Sequence, residues 1–252
     1  MGGVLDVVCT ITLAWQCFEE APLIVAANRD EFLDRPSDPP EIREWGRRVV
    51  APQDREAEGT WIGYNEDGLL VMITNRWTPS ALEGERSRGL LVRDALGEAT
   101  ADDAMRLVER DLDERSYEGF NLLVADESSA LLAEYDGNRR ISTLDPGVHI
   151  VVNVGANGQY DIPAKREEAG QQQAENANAV RTELQPEPGE RGDEWLDRAA
   201  TVIADHEYGV CIHRAQFGTR SSSLVYVGEE VRYRYADGPP CETAFEPVDV
   251  PF

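Results

Sequence analysis

Polarity alternates in short bursts along the first third of the chain, the pattern of strands that bury one face. Cys9 to Trp15 alternates in part, and Leu23 to Ala27 is a short apolar run after Pro22; the two predict a pair of strands. Asp34 to Pro40 carries three prolines and predicts an exposed loop. Thr60 to Tyr64 and Leu69 to Thr74 are strand-like runs joined by Asn65-Glu66-Asp67-Gly68. The Asp-Gly step supplies residues that tolerate positive φ, so a hairpin is expected there.

The period then lengthens. Thr100 is a candidate N-cap, Asp102 and Asp103 suit the positive end of a helix, and Ala104, Leu107, Val108 and Leu112 share one face, predicting a helix that ends near Arg115. Phe120 to Ala125, Ala130 to Tyr135 and His149 to Asn153 read as strands, with Asp136-Gly137-Asn138 as a turn. Ala164 to Leu184 is polar and reads as an exposed helix, and Pro186 to Gly192 as a surface loop. Asp193 is a candidate cap for a helix whose stripe is Trp195, Leu196, Ala199, Ala200 and Ile203. Ser222 to Val227 and Val231 to Tyr235 predict a last hairpin. Strands that come in groups, with helices gathered between them, argue against a doubly wound parallel sheet. Two antiparallel sheets sandwiched by helices fit this order, as do other α+β arrangements. The 252 residues are expected to form a single domain, 1–252.

Composition narrows the partners. The formal net charge is −24, and among the 24 basic residues Lys165 is the only lysine. Such a field repels nucleic acid and anionic membranes, and no basic cluster offsets it. The acidic coat is read as adaptation to high salt, where charge repulsion is screened over roughly 3 Å at 1 M. No apolar run reaches the roughly 18 residues of a membrane span, and Met1 to Val8 is too short for a secretory signal, so a cytoplasmic location is expected. Cys9, Cys17, Cys211 and Cys241 form no Cys-x-x-Cys pair, and His149, His206 and His213 lack helical i, i+4 spacing. No metal or cofactor site is therefore expected.

Candidate chemistry begins at Cys9, at the head of the first strand, and at Asn28-Arg29-Asp30-Glu31, a polar run that ends the second. Strand ends on a rigid sheet commonly carry function. The run matches the signature of the NRDE family, also called the transport and Golgi organization protein two family. Further blocks resemble the family in order: Phe32-Leu33-Asp34-Arg35-Pro36, Gly59-Thr60-Trp61-Ile62-Gly63, Thr74-Asn75-Arg76, Ser87-Arg88-Gly89, Gly119-Phe120-Asn121-Leu122-Leu123 and Gly218-Thr219-Arg220-Ser221-Ser222. The family in turn is distantly similar to N-terminal nucleophile (Ntn) cysteine hydrolases of non-peptide amides, such as penicillin V acylase and bile salt hydrolase.

That resemblance implies an Ntn-hydrolase-like, four-layer αββα sandwich of two mainly antiparallel sheets. It implies a nucleophile at Cys9 whose own α-amino group is the base, with Asp30 orienting that amine and Asn28 in support. Arg29 stands in the same motif. Asn75 resembles the donor to a tetrahedral oxyanion, Asn153 a second site asparagine, and Arg220 a late arginine that shares the cleft and favours the thiolate. The family's cysteine usually follows the initiator methionine directly, whereas eight residues precede Cys9 here. A start at Val8, read as methionine from a GUG codon, would restore the pattern. The function expected is an amidohydrolase or acyltransferase acting on a small non-peptide amide, with no cofactor required. The alternatives are a carrier of haem or a lipid-like small molecule on the same scaffold, and a catalytically inactive relic.

Overall fold

The computed structural model describes residues 9–252, so the expectations for Met1 to Val8 lie outside the described residues. In chain order the strands are β1 (Thr10–Phe18), β2 (Ala21–Phe32), β3 (Ser37–Glu44), β4 (Arg48–Asp54), β5 (Ile62–Asn65), β6 (Leu70–Asn75), β7 (Phe120–Ala125), β8 (Ala130–Tyr135), β9 (Arg139–Thr143), β10 (Gly147–Val152), β11 (Gly155–Ala156), β12 (Gln159–Tyr160), β13 (Phe217–Val227), β14 (Val231–Ala236) and β15 (Glu246–Val248). The α-helices are α1 (Arg88–Ala95), α2 (Ala101–Glu114), α3 (Glu167–Glu183) and α4 (Gly192–Ala204). One sheet runs β12-β11-β10-β1-β2-β13-β14-β15 and the other runs from β3 to β9 through β4, β5, β6, β7 and β8. All their pairings are antiparallel.

Each sheet buries both faces, which makes four layers. Ile11, Leu13, Val25, Leu70, Met72 and Leu123 belong to the core between the sheets. The opposite face of the first sheet packs Ile24, Ile150 and Leu224 against Trp195, Leu196 and Ala177 of α3 and α4. The second sheet packs Val71, Leu122 and Val124 against Leu91, Val92, Ala104 and Val108 of α1 and α2. The αββα expectation is borne out. Alternation shows why: odd-numbered Ile11 and Leu13 of β1 face the other sheet, while even-numbered Ala14 faces the helices.

Local signals set several elements. Thr100 Oγ1 accepts from the Asp103 amide at 3.1 Å and caps α2 as expected. The turn between β5 and β6 places Gly68 at φ 92°, a conformation that glycine adopts without a Cβ penalty. Other expectations need correction. Asp34 to Pro40 is not simply a loop, because β3 contains Pro39 and Pro40. It is the edge strand of its sheet, with a register shift between Asp38 and Glu41 that removes the demand for ladder donors. Helix α3 is not merely exposed: Gly170, Ala174, Ala177 and Val180 bury a narrow face of small residues. Helix α4 starts after Arg191, whose amide donates to the Glu194 carboxylate at 3.0 Å, so Asp193 lies inside the first turn.

One buried side chain stitches the sheets together. Asn121 of β7 is 0% exposed; its Nδ2 donates to Thr74 Oγ1 at 3.0 Å and to the Val152 carbonyl of the facing sheet at 2.8 Å. Its Oδ1 accepts from Arg76 Nη1 at 2.9 Å. Asn121→Ala strands buried polar partners on both sheets, so a loss of about 2–4 kcal/mol is expected. Urea denaturation should show a lower midpoint at unchanged slope.

Candidate active site

Sheet register brings the site together. Thr10 pairs with Asn28 on one side and with Val152 on the other, so Cys9, one residue earlier, lies between Arg29 and Asn153. The Cys9 amide donates to Asn153 Oδ1 at 3.0 Å, and its thiol lies 3.7 Å from the Asp30 carbonyl oxygen. Asn153 is fully buried; the same Oδ1 accepts from Gln173 Nε2 at 2.9 Å, while Nδ2 donates to the Asn75 carbonyl at 2.6 Å.

Alternation along β2 divides its polar run between two faces. Arg29 turns toward the facing sheet. It stacks on the Trp61 ring at 4.0 Å and approaches Asp54 at 3.4 Å and Glu31 at 3.9 Å. Burial lowers its pKa against the opposing pull of Glu31, Cys9 and Asp54. Asn28 turns the other way, and its Nδ2 donates to the carbonyls of Ile203 and Val210, both at 2.9 Å. Its Oδ1 accepts from Ser222 Oγ at 2.7 Å, so Asn28 ties the sheet to the segment after α4 instead of reaching Cys9. Asp30 also lies on that buried side. Its Oδ1 accepts from Thr219 Oγ1 at 2.5 Å, and its Oδ2 has no partner among the described residues. Burial raises the Asp30 pKa well above the usual carboxylate value, opposed by the Thr219 hydrogen bond and by Arg29.

Two hollows meet at Cys9. A polar one of about 110 Å³ is walled by Arg29, Asp30, Glu31, Trp61, Asn75 and Arg88. An apolar slot of about 20 Å³ lies between the sheets against Ile11, Ala27, Trp61, Ile62 and Met72. Asn75 and Arg88 also border a groove of about 850 Å³ that runs past Trp77 to Pro163 and Arg166. The Gly59 and Ser87-Arg88-Gly89 blocks form the cavity wall because their backbones touch. The Thr60 amide donates to the Gly89 carbonyl at 3.0 Å, and a Cβ on Gly59 would stand 2.2 Å from the Gly89 carbonyl carbon.

Cys9, Arg29, Asp30 and Asn75 therefore meet at one cavity, with Asn153 holding the Cys9 nitrogen. Arg220 does not join them. The pairing of β13 with β2 slips between Thr219 and Ser221, which turns Arg220 out to Asp237 at 2.6 Å. The cations at the cavity are Arg29, Arg35 and Arg88. Arg88 was legible as part of a family block but not as a site residue; burial lowers its pKa, and Glu118 holds it at 2.9 Å. Ligand-type side chains converge elsewhere, where His206, Cys211, His213 and Cys241 meet. Spacing rules for one helix or one Cys-x-x-Cys turn do not detect such a set. His149 is held by the Asp145 carbonyl at 2.8 Å and by Asn157 at 3.0 Å.

Burial, then the Asp30 charge, pushes the Cys9 thiol up to about 12. With Val8 still attached, burial therefore keeps Cys9 as the neutral thiol at pH 8. Iodoacetamide labelling of Cys9, followed by peptide mapping, should rise about tenfold per pH unit from 7 to 10; a plateau below pH 9 would refute this. Asp30 has a second consequence. A carboxyl whose folded pKa is raised stabilises the fold only while protonated, and that contribution disappears as pH rises through the folded value. Asp30→Asn should therefore gain about 1–3 kcal/mol over the parent at pH 8, with the gain shrinking as pH falls toward 4. Paired chemical denaturation curves at the two pH values measure it.

Comparison with known proteins agrees with this architecture. Transport and Golgi organization 2 homologues from Mus musculus and Homo sapiens are 29% and 28% identical over 236 residues, covering 81% of this chain and 82% of theirs. Among solved structures, penicillin V acylase from Agrobacterium tumefaciens superposes with TM-score 0.57 at 16% identity, covering 91% of this chain and 83% of its own. The N-acylethanolamine-hydrolyzing acid amidase orthologue of Caenorhabditis elegans gives 0.56 at 12% identity, covering 86% and 92%. These likenesses identify an Ntn-hydrolase fold. Residues 8–238 match the family described as "Transport and Golgi organisation 2", and the chain belongs to that family.

Proposed function

We propose that this protein is an N-terminal cysteine amidohydrolase that acts once the Cys9 amine is free. The observation that carries the reading is the pair of contacts at Cys9: its nitrogen held by Asn153 at 3.0 Å and its sulfur beside the strand end that carries Asp30. A freed α-amine has a reference pKa of about 7.7–8.0 and can take the thiol proton at neutral pH, which a peptide nitrogen cannot. Asp30 Oδ2, which has no hydrogen-bond partner among the described residues, supplies an acceptor for the ammonium that results. An ammonium attached to Cys9 also offsets the two influences that hold the thiol neutral, burial and the Asp30 charge.

In the proposed reaction the Cys9 thiolate attacks the carbonyl carbon of the amide, a C–S bond forms, and negative charge moves to the carbonyl oxygen. The Asn75 side chain lines the hollow without a hydrogen bond of its own among the described residues, so its Nδ2 is free to meet that oxygen. The α-ammonium returns its proton to the leaving amine as the C–N bond breaks. Water then attacks the thioester with the α-amine again as base, a C–O bond forms, the C–S bond breaks, and the proton returns from the amine to the Cys9 sulfur as the acid leaves. Arg29 and Arg88 add positive charge to the same wall. The apolar slot of about 20 Å³ beside Cys9 is too small for more than the edge of an acyl group, and the groove of about 850 Å³ past Asn75 gives room for the bulk of the substrate.

The test compares the full chain with a form that begins at Cys9, each incubated with a panel including penicillin V, an N-acylethanolamine and a conjugated bile acid. The Cys9-started form should label rapidly at neutral pH and gain one acyl mass in intact mass spectrometry, while the full chain should not. Asn75→Ala should lower turnover about 10²–10³-fold and retain thiol labelling. A free Cys9 amine with a sluggish thiol and no acyl adduct on any amide would sink the proposal and favour ligand carriage.

A further inference from the structure

Four metal-binding side chains converge near the end of the chain, on the helix side of the first sheet. Cys241 Sγ stands 3.0 Å from His213 Nε2 and 3.5 Å from Cys211 Sγ, and Cys211 Sγ stands 3.7 Å from His213 Nε2. The His206 ring packs edge-on against His213 with centroids 5.1 Å apart. One ligand atom from each of the four lies within 4.8 Å of the others. We propose that His206, Cys211, His213 and Cys241 form a closed, tetrahedral zinc site.

Geometry and chemistry agree. Zinc takes thiolate sulfur at about 2.3 Å and imidazole nitrogen at about 2.0–2.1 Å, so a tetrahedron of two of each has edges of about 3.3–3.8 Å. The three edges among Cys211, His213 and Cys241, 3.0, 3.5 and 3.7 Å, lie close to that range, and rotation of the His206 side chain, whose ligand atom is within 4.8 Å of the others, closes the set. Two thiolates and two neutral imidazoles select zinc over calcium or magnesium, which prefer oxygen. Binding Zn²⁺ releases the two thiol protons and leaves the centre with no net charge, which suits a site where Cys211 is buried. A disulfide between the cysteines would account for two of the four side chains and leave the convergence of the histidines unexplained.

The backbone holds the ligands in advance. Ile212, between Cys211 and His213, is paired on both sides with Thr219: its amide donates to Thr219 Oγ1 at 2.9 Å and its carbonyl accepts from the Thr219 amide at 2.8 Å. Gly209, at φ 62°, ends the short turn that carries His206 and sends the chain back toward Cys211. Cys241 sits in a turn closed by Glu242 and Thr243 amides on the Pro239 carbonyl, at 3.0 and 2.9 Å. The metal would clamp this C-terminal turn onto the segment between α4 and β13. With four protein ligands it leaves no open position, so its role is structural. The inference does not depend on any activity at Cys9.

The experiment titrates full-length, reduced, metal-stripped protein with Co²⁺ and then Zn²⁺. One Co²⁺ per chain is expected, with thiolate-to-cobalt charge-transfer absorption and intense tetrahedral d–d bands that Zn²⁺ abolishes. Cys241→Ser and His206→Gln should each weaken Co²⁺ binding about tenfold or more. His206 is exposed, so circular dichroism of His206→Gln should match the parent and separate ligand loss from misfolding. No thiolate band in the reduced parent, or a band that survives Cys241→Ser and vanishes in Cys17→Ser, overturns the assignment.

Discussion

The Asn153 side chain is the constraint on which the rest of the site depends. It stands just beyond β10, fully buried, and joins three parts of the molecule that are remote in sequence: the Cys9 amide, Gln173 of α3 and the Asn75 carbonyl of the other sheet. Its backbone carbonyl also accepts from the Trp77 amide at 3.0 Å. Only an amide can do this, because the position needs an acceptor on one atom and a donor on the other. An aspartate would set a carboxylate oxygen against the Asn75 carbonyl, and a leucine would leave both buried groups unpaired. The sheets are held face to face by an apolar interior, which has little directional preference. Asn153 and Asn121 supply the direction at this end and fix how far the Asn75 strand stands from Cys9.

The same end of the sandwich keeps buried charge that a purely structural core would avoid. Among the described residues neither Arg29 Nη1 nor Asp30 Oδ2 has a hydrogen-bond partner, although the two residues are adjacent in sequence. They point to opposite faces of β2, so neither neutralises the other directly. Arg29 is balanced by the Trp61 ring and the Asp54 carboxylate, which Arg35 also binds at 2.5 Å. Among the described residues Asp30 has one side-chain hydrogen-bond partner, the Thr219 hydroxyl, with Arg29 and Arg214 acting on it through charge alone. Unsatisfied buried groups are rare in native proteins, and two of them on consecutive residues beside a cysteine mark a place where stability has been given up.

Much of this was legible in the sequence, and the failures have physical causes. Strands β7 and β8 were located to the residue because their apolar runs are bounded by turn residues, and α2 because Thr100 caps it. Edges were hard to see. Strand β9 is exposed throughout, β3 buries only Pro40, and β15 is three residues long, so none shows an alternating buried face. At the site, the resemblance supplied the residues but not their faces. Whether Asn28 or Arg29 meets Cys9 is decided by the register of β1 on β2, and a one-residue slip would exchange them. The exit of Arg220 follows from a bulge in the β13 pairing, which no local sequence signal announces.

Strand β13 connects the two ends of this arrangement. It pairs with β2 through Ser222 opposite Asn28 and Thr219 opposite Asp30, so it forms the wall behind the Cys9 strand end. Thr219 faces both ways, donating its hydroxyl to Asp30 while its amide and Oγ1 hold Ile212. The segment that contains Ile212 also presents the Val210 carbonyl to Asn28. The position of the Asp30 carboxyl thus rests on residues 205–213, a stretch with one short turn of helix whose apolar anchors are Tyr208, Val210 and Cys211. A loop of that kind is expected to open locally at low free energy unless something ties it down. The convergence of His206, Cys211 and His213 on Cys241 lies where such a tie bears on Asp30, because Ile212, between two of those side chains, is hydrogen-bonded to Thr219 and Thr219 to the Asp30 carboxyl.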